Sequence, residues 1–273
     1  MINNVAPGIQ GIADSIASQY EIPIPLVQIA DDELINVICD DYGSSSFDGL
    51  TWFEAETDDF YIHLNSNQSH NNTLNNVKGR FTLAHELGHY FIPQHRKGLI
   101  DGTLKPHGST NYLTNICNWS LEREADAFAS VLLMPTTSVK DYIKGRPFHF
   151  SLIDEIATKY QVSKSAAALR FKEIGNTPIL VVYAIDGKIS WVSYSSDFPF
   201  HRLRYGCEKG DRVPENTVIG SYFYDFDNSD CRKEETVYAQ DCFDTRNVEE
   251  NERVFLEYCI EYKNRAISVF WEK

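Results

Sequence analysis

Three residues in the stretch Val77–Pro93, VKGRFTLAHELGHYFIP, have side chains suited to metal-assisted hydrolysis. His85 and His89 stand four positions apart, which on a 3.6-residue helix stacks both imidazoles on one face about a turn apart. Two nitrogens then converge on one ion. Glu86 is rotated by about 100° from His85, too far to share the ion easily but within reach of a water beside it. A carboxylate so placed works as a general base once a zinc ion has made that water acidic. An HExxH motif also arises by chance, and the bland alternative is a buried helix whose histidines are merely satisfied. Against that stand the small residues Ala84 and Gly88 beside the histidines, and a second helix downstream that carries carboxylates.

That second helix, Leu121–Met134 (LEREADAFASVLLM), is the expected source of a third ligand, with Glu122, Glu124 and Asp126 as candidates. Glu122 and Asp126 are four apart and share a face, whereas Glu124 lies about 200° round the helix from Glu122. The face argument favours Glu122 as ligand, working as a pair with Asp126. Glu124 better suits a solvated acidic helix start, favoured by the helix dipole. The pair resembles that of the glutamate-type zincins, whose ligand Glu is followed four positions later by an Asp that hydrogen-bonds a ligand histidine and fixes its tautomer. The resemblance assigns Asp126 to that supporting position.

Short elements must hold these helices. Residues 8–20 predict a helix ended by Pro23 and Pro25, and Leu34–Cys39, Leu50–Glu56 and Phe60–Leu64 read as strands of a small sheet. Phe60–Leu64 directly precedes the catalytic helix and is the expected edge for an extended peptide substrate to join by β-addition. Pro93 is expected to close that helix, leaving Gln94–Asn118 as a long loop over the cleft. His95, His107 and Tyr112 in that loop are candidate oxyanion stabilisers. Ser151–Gly175 predicts two short helices with a turn at Tyr160–Ser163, a helix-turn-helix pattern in which Ser163 caps the second helix. Beyond Asn176 the texture is β-rich. Ile179–Ile185 and Lys188–Tyr194 form a hairpin about Asp186–Gly187, and further strands are expected near Val218–Phe223, at Glu235–Ala239 and in the last twenty residues.

The expected organisation is therefore α+β. A zincin-like peptidase domain spans residues 1–147, a helix-turn-helix-like subdomain 148–177, and a β-rich α+β domain 178–273. A length of 273 residues suits two or three such units. Net charge is −14, distributed as −10 over residues 1–145, +2 over 146–177 and −6 over 178–273. An acidic chain repels nucleic acid, so direct binding is not expected and a basic protein or peptide partner suits the field better. Lys159, Lys164, Arg170 and Lys172 could meet phosphates, but four cations are thin support, and packing of Ile156, Ala157, Val162 and Phe171 as a structural subdomain is favoured. Six cysteines without CxxC spacing fit reduced thiols. With no apolar run long enough for a membrane span and no basic-then-apolar leader at the start, a cytoplasmic protein is expected.

Four blocks, IPIPL at Ile22–Leu26, RFTLAHELGHYF at Arg80–Phe91, EREADAFASVLLMP at Glu122–Pro135 and YQVSKSAAALRFKEIG at Tyr160–Gly175, occur in the order found in the ImmA/IrrE-type metallopeptidases, which the chain resembles over its first two-thirds. The resemblance implies one zinc ion, with Glu122 as third ligand, and an endopeptidase that cleaves an XRE-family helix-turn-helix repressor and so relieves transcriptional repression. In radiation-response members the C-terminal domain is GAF-like, which would imply a sensor or substrate-docking role for residues 178–273. No specific motif for that fold stands there. Two other readings retain the metal: a DNA-binding regulator, and a partner-binding module, each keeping a zinc site without hydrolysis. Oligomeric state is not legible.

Overall fold

The computed structural model describes residues 7–43, 46–67, 73–104, 116–204, 206–224 and 234–273. It is α+β and divides into two units, Met1–Tyr142 with Glu155–Ala166, and Ile143–Asp154 with Ala167–Lys273. Among the described residues no helix is long and apolar enough to cross a membrane.

In the first unit, α1 (Pro7–Ala17) and α2 (Leu26–Asp32) precede strands β1 (Asn36–Asp40), β2 (Gly49–Glu54) and β3 (Asp59–Asn65). The alternation of Phe60, Ile62 and Leu64 turns one side of β3 into the core. The order β1-β3-β2 puts β3 in the middle, parallel to β1 and antiparallel to β2. This corrects the expectation for Phe60–Leu64. Both sides of its backbone are already paired, so it cannot accept a peptide strand, and the edges belong to β1 and β2.

Helix α3 (Val77–Phe91) starts at Asn76, whose side chain accepts the Gly79 N–H at 2.9 Å. It packs on β2 and β3 and on α5 (Ile116–Leu133), which α1 also contacts. Pro93 does not leave a loop behind it. A proline is well placed at a first helical position, and it opens a new helix, α4 (Pro93–Ile100). The loop expected over Gln94–Asn118 is thus helical in its first part, while His107 and Tyr112 fall outside the described residues. After α5 comes α6 (Thr136–Ile143).

The helix-turn-helix pattern is realised as α7 (Phe150–Tyr160) and α8 (Lys164–Ile174), with Gln161 at φ 52° in the turn and Ser163 Oγ accepting the Ala166 N–H at 3.1 Å. The two units share this segment, since residues 155–166 belong to the first and the rest to the second. Arg170 and Lys172, two of the four candidate phosphate contacts, are 2% and 8% exposed and pair with Glu173.

The second unit is built on a five-stranded antiparallel sheet of order β5-β4-β8-β7-β6, from β4 (Ile179–Ile185), β5 (Lys188–Tyr194), β6 (Glu234–Tyr238), β7 (Val254–Tyr262) and β8 (Arg265–Glu272). The β4–β5 hairpin turns at Asp186 and Gly187, both at positive φ. Aromatic rings fill its core: Phe198 and Phe200 pack on Phe243 and Phe255. Cys242 and Cys259 are buried there. Short helices α10 (Ala239–Cys242) and α11 (Val248–Asn251) follow β6.

Val218–Phe223, expected as a strand, is helical as α9 (Val218–Tyr224). The cause is tertiary. The buried Glu257 of β7 accepts the N–H groups of Val218 and Ile219 at 2.7 and 3.0 Å, satisfying helix-start donors that local sequence leaves open. Burial pushes this carboxyl up to about 7, against the hydrogen bonds from Ser268 and the two amides, which pull it down. The unfolded chain therefore loses this proton near its ordinary value of 4.5 while the folded chain still holds it, so stability from this group falls as pH rises from about 4.5 to about 7. Glu257→Gln should flatten that part of the stability–pH curve in denaturant titrations. Glu257→Leu should cost about 1–3 kcal/mol for each amide left without an acceptor. An unchanged pH slope in Glu257→Gln would show that the carboxyl does not titrate in this range.

Candidate metal centre

The crossing of α3 and α5 positions the site, and small residues allow it. A Cβ added at Gly88 would lie 3.2 Å from Ala125 Cα and 3.2 Å from the Phe128 ring, so the helices approach closely just where the histidines emerge. Leu83, Ala84, Leu87 and Phe128 are fully buried around this contact. The result is a triangle of donors. His85 Nε2 and His89 Nε2 are 3.3 Å apart, and the two carboxylate oxygens of Glu122 stand 3.2 Å from the first and 3.4 Å from the second.

Donors about 2.0–2.1 Å from a tetrahedral zinc ion are separated by about 3.3–3.4 Å. The three residues match that spacing and together are able to hold a metal. Both histidines are 5% exposed, which keeps the rings fixed.

Each ring is also held from behind. His85 Nδ1 lies 2.9 Å from Asp126 Oδ1, as the resemblance to the glutamate-type zincins leads one to expect. His89 Nδ1 lies 3.2 Å from Nδ1 of His95 on α4, and His95 Nε2 lies 3.1 Å from Glu124 Oε2 on α5. His95, which the sequence offers only as an oxyanion candidate, is fully buried. Glu124 does not stand alone in solvent, since it accepts from His95 and from Gln94 at 3.1 Å. Helical geometry put Glu124 off the ligand face but could not show that α4 would pass beside it.

Burial alone disfavours a cationic His85, yet the hydrogen bonds to Asp126 and Glu122 and the charges of Glu86 and Asp126 outweigh it and raise this imidazole to about 10. A proton and a metal therefore compete for Nε2, and metal uptake should release that proton. His95 is the reverse case. Burial first, and then the neighbouring His89, hold it down at about 4 in spite of Glu124, so its ring is neutral.

Glu86 is 3% exposed and turned toward β2, where Thr51 Oγ1 donates to its Oε2 at 2.7 Å. The same hydroxyl lies 3.1 Å from the Glu86 carbonyl oxygen. A Cβ on Gly49 would meet Glu86 Oε1 at 2.6 Å, so only glycine leaves room for this carboxylate. Neither Thr51 nor Gly49 is conspicuous in the sequence, because their distance from residue 86 carries no helical or strand period.

Comparison with known proteins agrees with this geometry. The sequence model Peptidase_M78, the IrrE N-terminal-like domain, matches residues 49–172, a span holding both histidines, Glu86, Glu122 and Asp126. Metallopeptidase ImmA of Bacillus subtilis (strain 168) is 28% identical over 152 residues, which cover 55% of this chain and 76% of that protein. In these residues the chain is similar to the ImmA/IrrE-type metallopeptidases. That similarity is compatible with a metal, and among the described residues the His85, His89 and Glu122 triangle is able to take one. A solved structure described as a Mycobacterium tuberculosis transcriptional regulator superposes with a TM-score of 0.56 at 14% identity, covering 98% of this chain and 77% of that one. At that identity the likeness concerns the fold alone.

Proposed function

We propose that the chain is a zinc-dependent endopeptidase holding one ion through His85, His89 and Glu122, with Glu86 as general base, and that its substrate is an XRE-family repressor whose cleavage relieves transcriptional repression. The observation that carries the reading is the evenly spaced donor triangle with a second carboxylate, Glu86, close enough to His85 to act on its charge. A bound zinc would supply Lewis acidity toward a water and a scissile carbonyl. Glu86 takes the proton from that water and later delivers it to the leaving amine. Thr51 donates to one Glu86 oxygen and so limits the swing of this carboxylate. Asp126 holds His85 in the tautomer that offers Nε2.

For substrate binding we now favour β2, the sheet edge that packs on α3 and carries Thr51, in place of the central β3. The repressor as substrate rests on the family resemblance. The direct test is incubation of the purified chain with a helix-turn-helix repressor encoded beside it, with mass spectrometry of the products and Glu86→Gln as control.

The reading as a DNA-binding regulator loses support from the burial of Arg170 and Lys172, which takes two of its four cations away from any phosphate. Residues 178–273 are assigned a sensing or docking role, on the ground that every proposed ligand lies upstream of them. A chain ending at Gly175 should still bind zinc but cleave at an altered rate. A soluble, folded truncation without zinc would overturn this division of labour.

A further inference from the structure

Two ligand histidines need two supports, and the structure supplies them by different means. Behind His85 stands a carboxylate. Behind His89 stands a second imidazole, His95, which in turn meets the Glu124 carboxylate. We infer that His95 and Glu124 form a positioning relay that fixes the tautomer and orientation of His89, so that α4 is a structural part of the metal centre. This rests on the reading of His85, His89 and Glu122 as metal ligands.

Donor and acceptor assignments along these contacts form one self-consistent chain. With Nε2 of His89 directed to the metal, the ring's proton sits on Nδ1 and must be donated. Nδ1 of His95 faces it at hydrogen-bond distance, 3.2 Å, and accepts only if the His95 proton is on Nε2. Nε2–H then points at Glu124 Oε2, 3.1 Å away, and a carboxylate is an acceptor. Each bond in the chain fixes the direction of the next. Reversing any of them would set two protons or two lone pairs against each other.

The placement also explains three local features. His95 is completely buried, an unusual position for a histidine whose only use would be solubility. Pro93 starts α4 immediately after α3, which swings residue 95 back beneath residue 89, with the ring centroids 5.1 Å apart. Gln94 donates to the same Glu124 oxygen, so that carboxylate is held at the end of the relay while remaining 29% exposed.

The test uses the full chain with five variants: His95→Leu, His95→Gln, Glu124→Leu, the double Leu variant and His95→Leu combined with Asp126→Ala. Zinc dissociation constants come from competition with a chromophoric chelator, the visible absorption of the cobalt-substituted proteins reports ligand geometry, and thermal unfolding of the metal-free forms checks the fold. His95→Leu should weaken zinc by about 10–100-fold and Glu124→Leu by about tenfold, the range for groups that support a ligand. The double variant should be no weaker than His95→Leu alone, because the two residues act in series. His95→Gln, whose amide can accept from His89 and donate to Glu124, should recover most of the affinity and the wild-type cobalt spectrum. Adding Asp126→Ala to His95→Leu should multiply the losses, since they support different rings.

Wild-type zinc affinity and an unshifted cobalt spectrum in Glu124→Leu would overturn the relay even if His95→Leu failed to fold. Fully additive losses in the double variant would overturn it too. A wild-type chain that binds no zinc would overturn the metal reading itself, a result distinguishable from failure of the relay.

Discussion

Glu86→Gln should leave the chain folded and able to bind zinc while reducing the cleavage rate on a confirmed substrate by about 10²–10⁴-fold, the usual contribution of a positioned general base. The substitution is nearly isosteric in a tight place. Gly49 and Thr51 crowd this side chain, and the Gln carbonyl can still accept the Thr51 hydroxyl, so no cavity opens and no donor is orphaned. What disappears is the proposed proton acceptor. Because Glu86 faces Thr51 and is not one of the triangle of donors, metal content should not fall. The check is parallel measurement of zinc stoichiometry, thermal unfolding and turnover. Cleavage at close to the wild-type rate would remove Glu86 from the mechanism, and loss of zinc would place it among the ligands.

His89→Ala is expected to have the largest effect on metal content. It removes one of three proposed protein donors and leaves His95 facing a gap. Elemental analysis should find little zinc under conditions that load the wild-type chain fully, and added zinc should no longer raise the unfolding temperature, since a ligand stabilises only by binding the folded state. Cleavage should fall with it. A His89→Ala protein with a full zinc complement would remove His89 from the ligand set and with it the three-donor site.

Much of this protein was legible because its chemistry is packed into local periodicities. The i, i+4 spacing of His85 and His89 determines that they share a helix face wherever the helix goes, and the same rule sets Glu122 and Asp126 apart from Glu124. The β4–β5 hairpin follows from apolar strands flanking Asp186–Gly187, and Ser163 caps α8 as its type and position dictate. In each case the interaction lies within a few residues, so local geometry alone decides it.

The misread elements depend on partners far away in the chain. Val218–Tyr224 has the composition of a strand and is nevertheless a helix, because Glu257, nearly forty positions on, accepts its first N–H groups. Phe60–Leu64 has the pattern of any half-buried strand, and nothing in that pattern tells a central strand from an edge. Only pairing with β1 on one side and β2 on the other made it central. Pro93 can end one helix or begin another, and packing chose the second.

The sequence by itself determined the chemistry available here: two imidazoles and a separate carboxylate on one helix, a choice of acidic residues on another, and the family to which they point. Tertiary structure decided how those groups are held. The close crossing at Gly88 and Ala125 sets the spacing of the donor triangle, Thr51 arrives from β2 to meet Glu86, and His95 arrives from α4 to stand behind His89. Helical and strand periods fix the direction of a side chain relative to its own element. They contain no information about which other element will lie in that direction, and the supports of this site come from other elements.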